Sequence, residues 1–393
     1  MTHTSGDNTS MSSSIRHLAI LVPGFNTGGV PRVMTMLAQG LASDAERIDF
    51  LVARLDTRLQ PDFPSAVRIV DLADHRSLSA RPKVANTRAI LTSVPALAAY
   101  MRQSRPQLLL SGGNYANFTA VAGAALARVA TTVVVSHHSD FDRELEKKPF
   151  ARWITRNVYP RAAAIVAVSQ GVARSLARGA HLKPEAITTI YNPAVPPELG
   201  HLATQLIEHP WLAPGQPPVI LGVGRLHRQK DFPTLIRAFA RMRKQREARL
   251  IILGTGRKAD ARAELRALAE SVGIANDIDL PGHVENPFAY MSRAAVFILS
   301  SAWEGFGNVI VEALACGCPV VSTDCPSGPA EILADGKYGR LVSVGDDAAL
   351  ADAALQVLDE PRDRALLQTR AQEFSADKAT RKYLELINGL ISD

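Results

Sequence analysis

Two glutamates eight positions apart carry the most informative chemistry in this 393-residue sequence. Glu304 and Glu312 flank the turn sequence Gly305-Phe306-Gly307, and an apolar run starts at Val309. Each carboxylate only accepts hydrogen bonds, which suits sugar hydroxyls. The glycines let backbone N–H groups approach a ligand closely, and the start of a following helix attracts an anion. A nucleotide sugar, which has hydroxyls on both sides of a diphosphate, satisfies both halves of this pattern.

The residues around this turn predict a strand, a loop, a helix and a second strand. Residues 294–300 form an apolar run typical of a buried strand. Asn308 is the predicted N-cap of a helix that ends at Gly317, and residues 319–322 predict the next strand. Open parallel sheets bind ligands at the carboxyl ends of their strands. We therefore expect Glu304 at a ligand crevice and Glu312 in the early turns of the helix.

Two cations five positions apart lie between another predicted strand and helix. Arg225 and Lys230 follow the apolar run 219–223 and precede a helical pattern over 232–246. A departing diphosphate gains charge, and fixed cations stabilise that charge more in the transition state than in the ground state. Arg can hold phosphate oxygens with two hydrogen bonds, and Lys acts as a point charge. The alternative is an ordinary charged loop on a basic protein.

The E-x7-E spacing with Gly-Phe-Gly inside it resembles the retaining glycosyltransferases of family 4. The resemblance is strong over 219–344 and moderate over 18–29 and around His137 and Ser169. It implies an α/β protein of the GT-B fold, with two facing Rossmann-like domains built on parallel sheets. The implied reaction moves a sugar from a nucleotide sugar to a hydroxyl of an acceptor glycan, with retention of configuration. In that family the donor's own phosphate helps to take the acceptor proton, so no general base is named.

The resemblance also implies a role for each matching residue. Glu304 is expected at the donor sugar, Glu312 at the ribose, and Arg225 and Lys230 at the phosphates. A histidine near the donor sugar is expected at position 137 or 138; the sequence does not distinguish them, and we favour His137. Glu304, Arg225, Lys230 and His137 are thus the catalytic candidates. The candidates for donor binding are Gly28, Gly29, Gly224, Val284, Gly305, Phe306, Gly307, Asn308 and Glu312.

A proline-rich stretch divides the chain. Seven prolines between residues 193 and 218 interrupt any long element, so we place a linker at 196–217. The acceptor domain is predicted at 15–195 and the donor domain at 218–370. A terminal helix over 371–393 crosses back to the first domain in the family. The polar residues 1–14 predict a disordered tail without a signal peptide.

Composition favours a cytoplasmic enzyme that is either soluble or peripheral on the inner face of the cytoplasmic membrane. All three cysteines lie between 316 and 325, which argues for a reducing compartment, and the longest apolar stretch is interrupted by Arg128. Residues 143–156 predict a helix and combine five cations with Phe150, Trp153 and Ile154, a mixture suited to an anionic membrane surface. The alternative is a helix whose Trp153 and Ile154 pack on the sheet while its cations are solvated.

The sequence predicts no metal ion and no cofactor beyond the substrate. The two D-x-D triplets, Asp140–Asp142 and Asp277–Asp279, match the metal-diphosphate pattern of the other glycosyltransferase fold, but so short a pattern arises by chance. The second triplet leads into a strand, which favours a role in the fold. As the donor we expect a UDP-sugar first and a GDP-sugar second. We expect no nucleic-acid partner. An epimerase and a non-catalytic nucleotide-sugar sensor remain open, as do the sugar, the acceptor and the oligomeric state.

Overall fold

The computed structural model describes residues 15–24, 29–53, 63–72, 87–145, 148–256 and 260–392, with the backbone alone at 87–92, 144–145 and 150. The predicted disordered tail, 1–14, and the candidate donor residue Gly28 lie outside the described residues.

The first half of the chain forms a seven-stranded parallel sheet with the strand order β3-β2-β1-β4-β5-β6-β7. Strands β1, β2 and β4 are buried along their whole length, as in sheets that helices cover on both faces. The strands are β1 Leu18–Val22, β2 Ile48–Val52, β3 Val67–Asp71, β4 Leu108–Gly112, β5 Thr132–His137, β6 Ala164–Ala167 and β7 Ile187–Thr189.

The second half forms a six-stranded parallel sheet with the order β10-β9-β8-β11-β12-β13. Its strands are β8 Val219–Val223, β9 Arg249–Leu253, β10 Ile278–Gly282, β11 Val296–Leu299, β12 Val320–Thr323 and β13 Arg340–Val342. The direction of winding reverses between β8 and β11, which are neighbours in the sheet although they are far apart in the sequence. The expected α/β fold with two Rossmann-like parallel sheets is confirmed.

Helices connect the strands of both sheets. Those of the first half are α1 Gly29–Gly40, α2 Thr87–Ser104, α3 Asn114–Ala127, α4 Phe141–Leu145, α5 Pro149–Val158, α6 Gln170–Ala180 and α7 Leu199–Thr204. Those of the second half are α8 Phe232–Arg243, α9 Ala261–Ser271, α10 Pro287–Arg293, α11 Asn308–Ala315, α12 Pro329–Leu333, α13 Asp347–Asp359, α14 Arg364–Gln372 and α15 Ala376–Ser392. On α8 the apolar side, Leu235, Ile236 and Phe239, is fully buried. Within the described residues, no helix combines the length and the apolar character needed to cross a bilayer.

The single helix predicted over 143–156 is wrong, because two short helices, α4 and α5, occupy this segment. Pro149 is the first residue of α5, and the residue before a proline avoids the helical conformation. Lys148 accordingly has φ −127° and ψ 68°. Trp153 is 60% exposed, so the alternative in which this side chain packs on the sheet is also wrong.

The chain divides into two compact units. Unit 1 contains the described residues up to Val135, Arg161–Ala163 and the chain from Lys382 onward. Unit 2 contains Ser136–Pro160 and Ala164–Arg381. Every described candidate site residue except Gly29 therefore lies in unit 2.

A buried carboxylate in unit 1 was not anticipated. Asp49 is fully buried on β2, and its oxygens accept hydrogen bonds from Arg47 at 2.8 and 3.0 Å, from Arg68 at 3.2 Å and from the Tyr100 hydroxyl at 2.6 Å. His17 Nε2 lies 3.1 Å from Asp49 Oδ2. Burial alone would raise the pKa of Asp49, but the hydrogen bonds from these neighbours outweigh it and hold the pKa well below its usual range.

Asp49→Asn is therefore expected to lower the free energy of unfolding by about 2 kcal/mol or more near neutral pH. A depressed folded-state pKa stabilises above the unfolded pKa, near 4, and this contribution is lost as the pH falls. The difference between wild type and variant should thus shrink below about pH 4 in chemical denaturation. Asp44→Asn, which removes the charge of a partly exposed carboxylate in the same unit, is the matched control. A difference that stays constant from neutral to acid pH would contradict the prediction.

Candidate active site

The candidate site lies where the second sheet reverses its winding. The loop after β8 carries Gly224, Arg225 and Lys230, and the loop after β11 carries Glu304. Because β8 and β11 are paired parallel neighbours, with Ile220 opposite Val296, both loops leave the same edge of the sheet side by side. This edge, at the reversal of strand order, is where open α/β sheets bind ligands.

A nearly buried ion pair joins the two motifs. Lys230 Nζ lies 2.6 Å from Glu304 Oε1, and the two side chains are only 14% and 8% exposed. The Ser301 hydroxyl donates to the same carboxylate oxygen at 2.7 Å. The Ser300 hydroxyl donates to the carbonyl of Lys230 at 2.8 Å. Exclusion of water strengthens attraction between charges, so the cation and the carboxylate hold each other in fixed positions.

Gln229 ties the two loops together and was missed by the sequence analysis. Its side-chain Nε2 donates to the backbone carbonyl of Trp303 at 3.1 Å. Its backbone carbonyl accepts from the N–H of Ala302 at 2.8 Å. The same Nε2 lies 3.5 Å from Glu304 Oε2. In the sequence, only its position directly before Lys230 pointed to a role for Gln229. An uncharged residue in a basic loop does not by itself indicate which residue it contacts.

Gly224 leaves room for the side chain of Lys230. A Cβ at position 224 would lie 2.8 Å from Lys230 Cε and 3.0 Å from its Cδ and Cγ. A Cβ at Gly254, in the loop after β9, would overlap the carbonyl oxygen of Gly224. The lysine therefore reaches Glu304 across a backbone that tolerates no side chain.

The two arginines of the β8 loop have different surroundings. Arg225 is exposed, and its side chain makes no hydrogen bond or ion pair with the residues that the structure describes. The Arg228 guanidinium lies over the Trp303 ring, 5.6 Å from its centroid. Arg225 is thus the cation of this loop that remains available to a ligand.

The turn before α11 differs by one residue from its prediction. Gly307, with φ +96°, is the N-cap of α11, and Asn308 is the first helical residue, so the prediction of Asn308 as the cap is wrong. A positive φ favours glycine. The Asn308 side chain instead accepts a hydrogen bond from Asn192 at 3.0 Å. Its amide oxygen is therefore committed to a protein contact.

Phe306 packs inward. It is 2% exposed, and its ring lies 5.5 Å from that of Tyr191 and 5.4 Å from that of Phe374. Only its backbone can contribute to donor binding.

Glu312, in the second turn of α11, is 4% exposed. A buried carboxylate needs polar partners. The expected role of Glu312 in binding the ribose stays a prediction.

The two histidines at the end of β5 also differ, since His137 is the last residue of the strand and His138 follows it. His137 is fully buried, with Nδ1 3.2 Å from the Tyr159 hydroxyl and its ring packed on Phe141. His138 is partly exposed, but its Nε2 is buried without a hydrogen-bond partner among the described residues. Burial, followed by the neighbouring His137, lowers the pKa of His138 to about 3, so its imidazole is neutral near pH 7. A Cβ at Gly305 would overlap the carbonyl oxygen of His138. It is thus His138, and not the favoured His137, whose backbone touches the turn after Glu304.

Two donor candidates lie apart from this group. Gly29 is the first residue of α1 in unit 1 and is exposed. Val284 follows β10 by two residues and is partly exposed, next to the exposed His283. Their contacts with a donor stay predictions.

Both D-x-D triplets are engaged by protein groups. Asp277 pairs with Arg243 at 2.8 Å and also with Arg249, and Asp279 lies 3.0 Å from His209 Nε2. The role in the fold favoured for this triplet is confirmed. Asp140 accepts from the N–H of Arg143 at 2.9 Å and from the Ser327 hydroxyl at 3.0 Å. Over the described ranges, no cluster of three or more His, Cys, Asp or Glu residues could hold a metal ion.

Solved structures with the same fold superpose on nearly the whole of this chain. Sucrose-phosphate synthase from Thermosynechococcus elongatus superposes with a TM-score of 0.78 over 96% of this chain and 99% of its own, at 20% identity. HepE from Anabaena, solved with UDP and glucose, superposes with a TM-score of 0.74 over 95% and 100%, at 19% identity. At such identity the likeness defines the fold, which is GT-B.

Sequence families define the class more closely. The family described as "Glycosyltransferase Family 4" matches residues 27–196, and the one described as "Glycosyl transferases group 1" matches residues 217–360. The chain therefore belongs to the family 4 glycosyltransferases.

Two curated relatives are aligned over part of their length. One is the N-acetylgalactosamine-N,N'-diacetylbacillosaminyl-diphospho-undecaprenol 4-alpha-N-acetylgalactosaminyltransferase of Campylobacter jejuni, 32% identical over 59% of this chain and 62% of the relative. The other is the lipopolysaccharide core biosynthesis glycosyltransferase LpsE of Rhizobium meliloti, 34% identical over 44% and 51%. The matches thus span about half to three fifths of these relatives.

Proposed function

We propose that this protein is a retaining glycosyltransferase that moves a sugar from a nucleotide sugar, a UDP-sugar before a GDP-sugar, to a hydroxyl of an acceptor glycan. The observation that carries the proposal is the Lys230–Glu304 pair at the reversal of the second sheet. It brings a cation that can bind phosphate within 2.6 Å of a carboxylate that can accept hydrogen bonds from sugar hydroxyls. Such a pair fits a ligand in which phosphate and sugar are directly bonded.

Each charged group would have its own part in the reaction. The exposed Arg225 and the N-terminus of α11 would bind the diphosphate together with Lys230, whose attraction to phosphate competes with its bond to Glu304. Once Lys230 turns to the phosphate, Glu304 would keep the hydroxyl of Ser301 and face the sugar, where positive charge develops as the bond breaks. The departing phosphate would take the acceptor proton.

We further propose that the acceptor is a glycan on a lipid carrier. The name of the Campylobacter relative includes diphospho-undecaprenol, and that of the Rhizobium relative includes the lipopolysaccharide core. The enzyme would then work on the cytoplasmic side, at the membrane surface. No metal ion is needed in this proposal, since cations and helix dipoles meet the phosphate charge.

The donor is tested by thermal shift with UDP-, GDP- and ADP-sugars, because a ligand at a hundredfold its dissociation constant stabilises by about 2.7 kcal/mol. Transfer is then measured with the stabilising donor and lipid-linked glycans, in EDTA and with Mg²⁺, and NMR of the product reports the anomeric configuration. An epimerase would convert the donor without acceptor, and a sensor would bind it unchanged. Either outcome would replace the proposal, while dependence on Mg²⁺ would remove its metal-free part.

Binding to anionic membranes is expected through α5 and its flanks. Trp153 is 60% exposed, and Lys148 and Arg156 are exposed beside it. Each cation near an anionic surface contributes about 1 kcal/mol, so Lys148→Gln with Arg156→Gln should weaken binding to phosphatidylserine-containing vesicles about 30-fold in co-sedimentation. The matched control is Lys244→Gln with Arg266→Gln, which removes two exposed cations elsewhere in unit 2. Equal loss in both double variants, or no binding by wild type, would refute the membrane proposal.

A further inference from the structure

Three backbone turns of unit 2 meet beside Glu304, and we call their meeting the three-turn contact. It consists of residues 169–171, 304–306 and 326–331. A Cβ at Gly171 would lie 2.6 Å from Ser327 Cα, and one at Gly328 would overlap the carbonyl oxygen of Phe306. The N–H of Glu304 donates to the carbonyl of Pro326 at 3.2 Å. The three turns thus touch backbone to backbone.

The carboxylate of Glu331 closes one side of this contact. Its Oε1 accepts from the N–H of Gly171 at 2.8 Å, and its Oε2 accepts from the N–H of Gln170 at 2.9 Å. These are the first two N–H groups of α6, which have no partner within the helix and favour a negative charge. Glu331 therefore belongs to α12 in sequence but holds the start of α6.

The backbone of Glu331 is itself fixed. Arg370 donates to the carbonyl of Glu331 at 2.6 Å and to that of Ile332 at 2.8 Å. The Arg370 guanidinium also lies over the rings of Tyr338 and Phe374, at 5.2 and 4.9 Å from their centroids. The carboxylate consequently acts from a rigid support.

Ser169 links the start of α6 to the candidate active site by a hydrogen bond to Gly305. It is fully buried, and its hydroxyl accepts from the N–H of Val172 at 3.1 Å while it donates to the carbonyl of Gly305 at 2.8 Å. A hydroxyl has one proton to donate, and here that proton is used on the residue bonded to Glu304. Movement of the 169–171 turn would therefore shift the peptide that carries the carboxylate facing Lys230.

We propose that Glu331 is a positioning residue for glycosyl transfer. By holding the first N–H groups of α6 it keeps Ser169 bonded to Gly305, and so keeps the Glu304 carboxylate aligned for the donor sugar. This inference rests on the proposed function. Displacement of a reacting group by about 1 Å can lower a rate about a hundredfold, so a residue without contact to substrate can control turnover.

The kinetic test compares Glu331→Gln with a matched cap elsewhere in unit 2. Asp346→Asn alters the N-cap of α13, where Asp346 accepts from the N–H of Ala349 at 2.9 Å. We expect Glu331→Gln to lower kcat about tenfold or more with the donor KM changed less than about threefold, and Asp346→Asn to change neither. Similar losses of melting temperature with unchanged kcat in both variants would overturn the proposal.

A double-mutant cycle tests the route through Ser169. Ser169→Gly keeps a residue tolerated at a helix N-cap but removes the donor to Gly305. If Glu331 acts through Ser169, the double variant should have about the same kcat as the worse single variant. Multiplying losses would mean that the two residues act separately and would overturn this route.

Hydrogen exchange decides the proposal independently of activity. Glu331→Gln should speed exchange about tenfold at the amides of 303–307 as well as at 170–172, whereas Asp346→Asn should leave both segments unchanged. If wild type transfers no sugar, the proposed function fails, but faster exchange at 303–307 would still support the positioning of this turn. Faster exchange confined to 170–172 would overturn it.

Discussion

Lys230→Ala should lower kcat about a hundredfold or more, because under the proposed function it removes the cation that would stabilise the departing diphosphate in the transition state. The lysine is 2.6 Å from Glu304, and its side chain is 14% exposed, so no solvent-exposed cation can take over its place without rearrangement. Arg225→Ala should produce a loss of similar size. Steady-state kinetics with saturating donor measures both effects.

The two variants differ in what they leave behind. Removing Lys230 leaves a nearly buried carboxylate without its cation, so Lys230→Ala should also lower the melting temperature. Arg225 has no partner among the described residues, so Arg225→Ala should leave the melting temperature unchanged. Arg228→Ala, which removes only the contact with Trp303, is the control and should retain activity within a few-fold. Wild-type turnover in Lys230→Ala would remove the assignment of this loop to the diphosphate.

Glu304→Gln should lower kcat by about a hundredfold, because the proposed function places the carboxylate where charge would develop on the sugar. Glutamine has the same shape and still accepts from the Ser301 hydroxyl, so the change removes charge and little else. Glu312→Gln should mainly raise the donor KM, since the expected hydroxyl contact to the ribose would be made in both the ground state and the transition state.

The pair of variants is its own control, because both exchange one buried carboxylate for an amide in the same stretch of unit 2. Binding of the nucleoside diphosphate without sugar, measured by calorimetry, should weaken in Glu312→Gln and stay near wild type in Glu304→Gln. The reverse pattern of kcat, KM and diphosphate binding would mean that the two roles are exchanged.

Much of the fold followed from the apolar runs, because strands buried on both faces are nearly continuous in Val, Ile and Leu. Contacts between the motifs did not follow. That Lys230 meets Glu304 depends on β8 and β11 being neighbours, and spacing along a chain does not give strand order. For the same reason the sequence could not predict that Glu331 contacts the start of α6.

Predictions of local detail were wrong or left open where two neighbouring residues suit the same structural position. Glycine and asparagine both suit a helix N-cap, and the structure uses Gly307 where Asn308 was expected. His137 ends β5 and His138 follows it, and successive side chains of an extended chain point to opposite faces, but the sequence does not state which face is covered. Burial of His137 therefore became known only from its packing against Tyr159.

The backbone contacts around Glu304 restrict how this enzyme could be redesigned for another donor. A side chain introduced at Gly305 would meet the His138 carbonyl, and one at Gly328 would meet that of Phe306. Libraries that randomise these glycines would consist mostly of misfolded members. Exposed positions such as Arg228 tolerate variation without disturbing the backbone. Directed evolution toward a new sugar should therefore begin at the rim of the β8 loop and leave the turn after β11 unchanged.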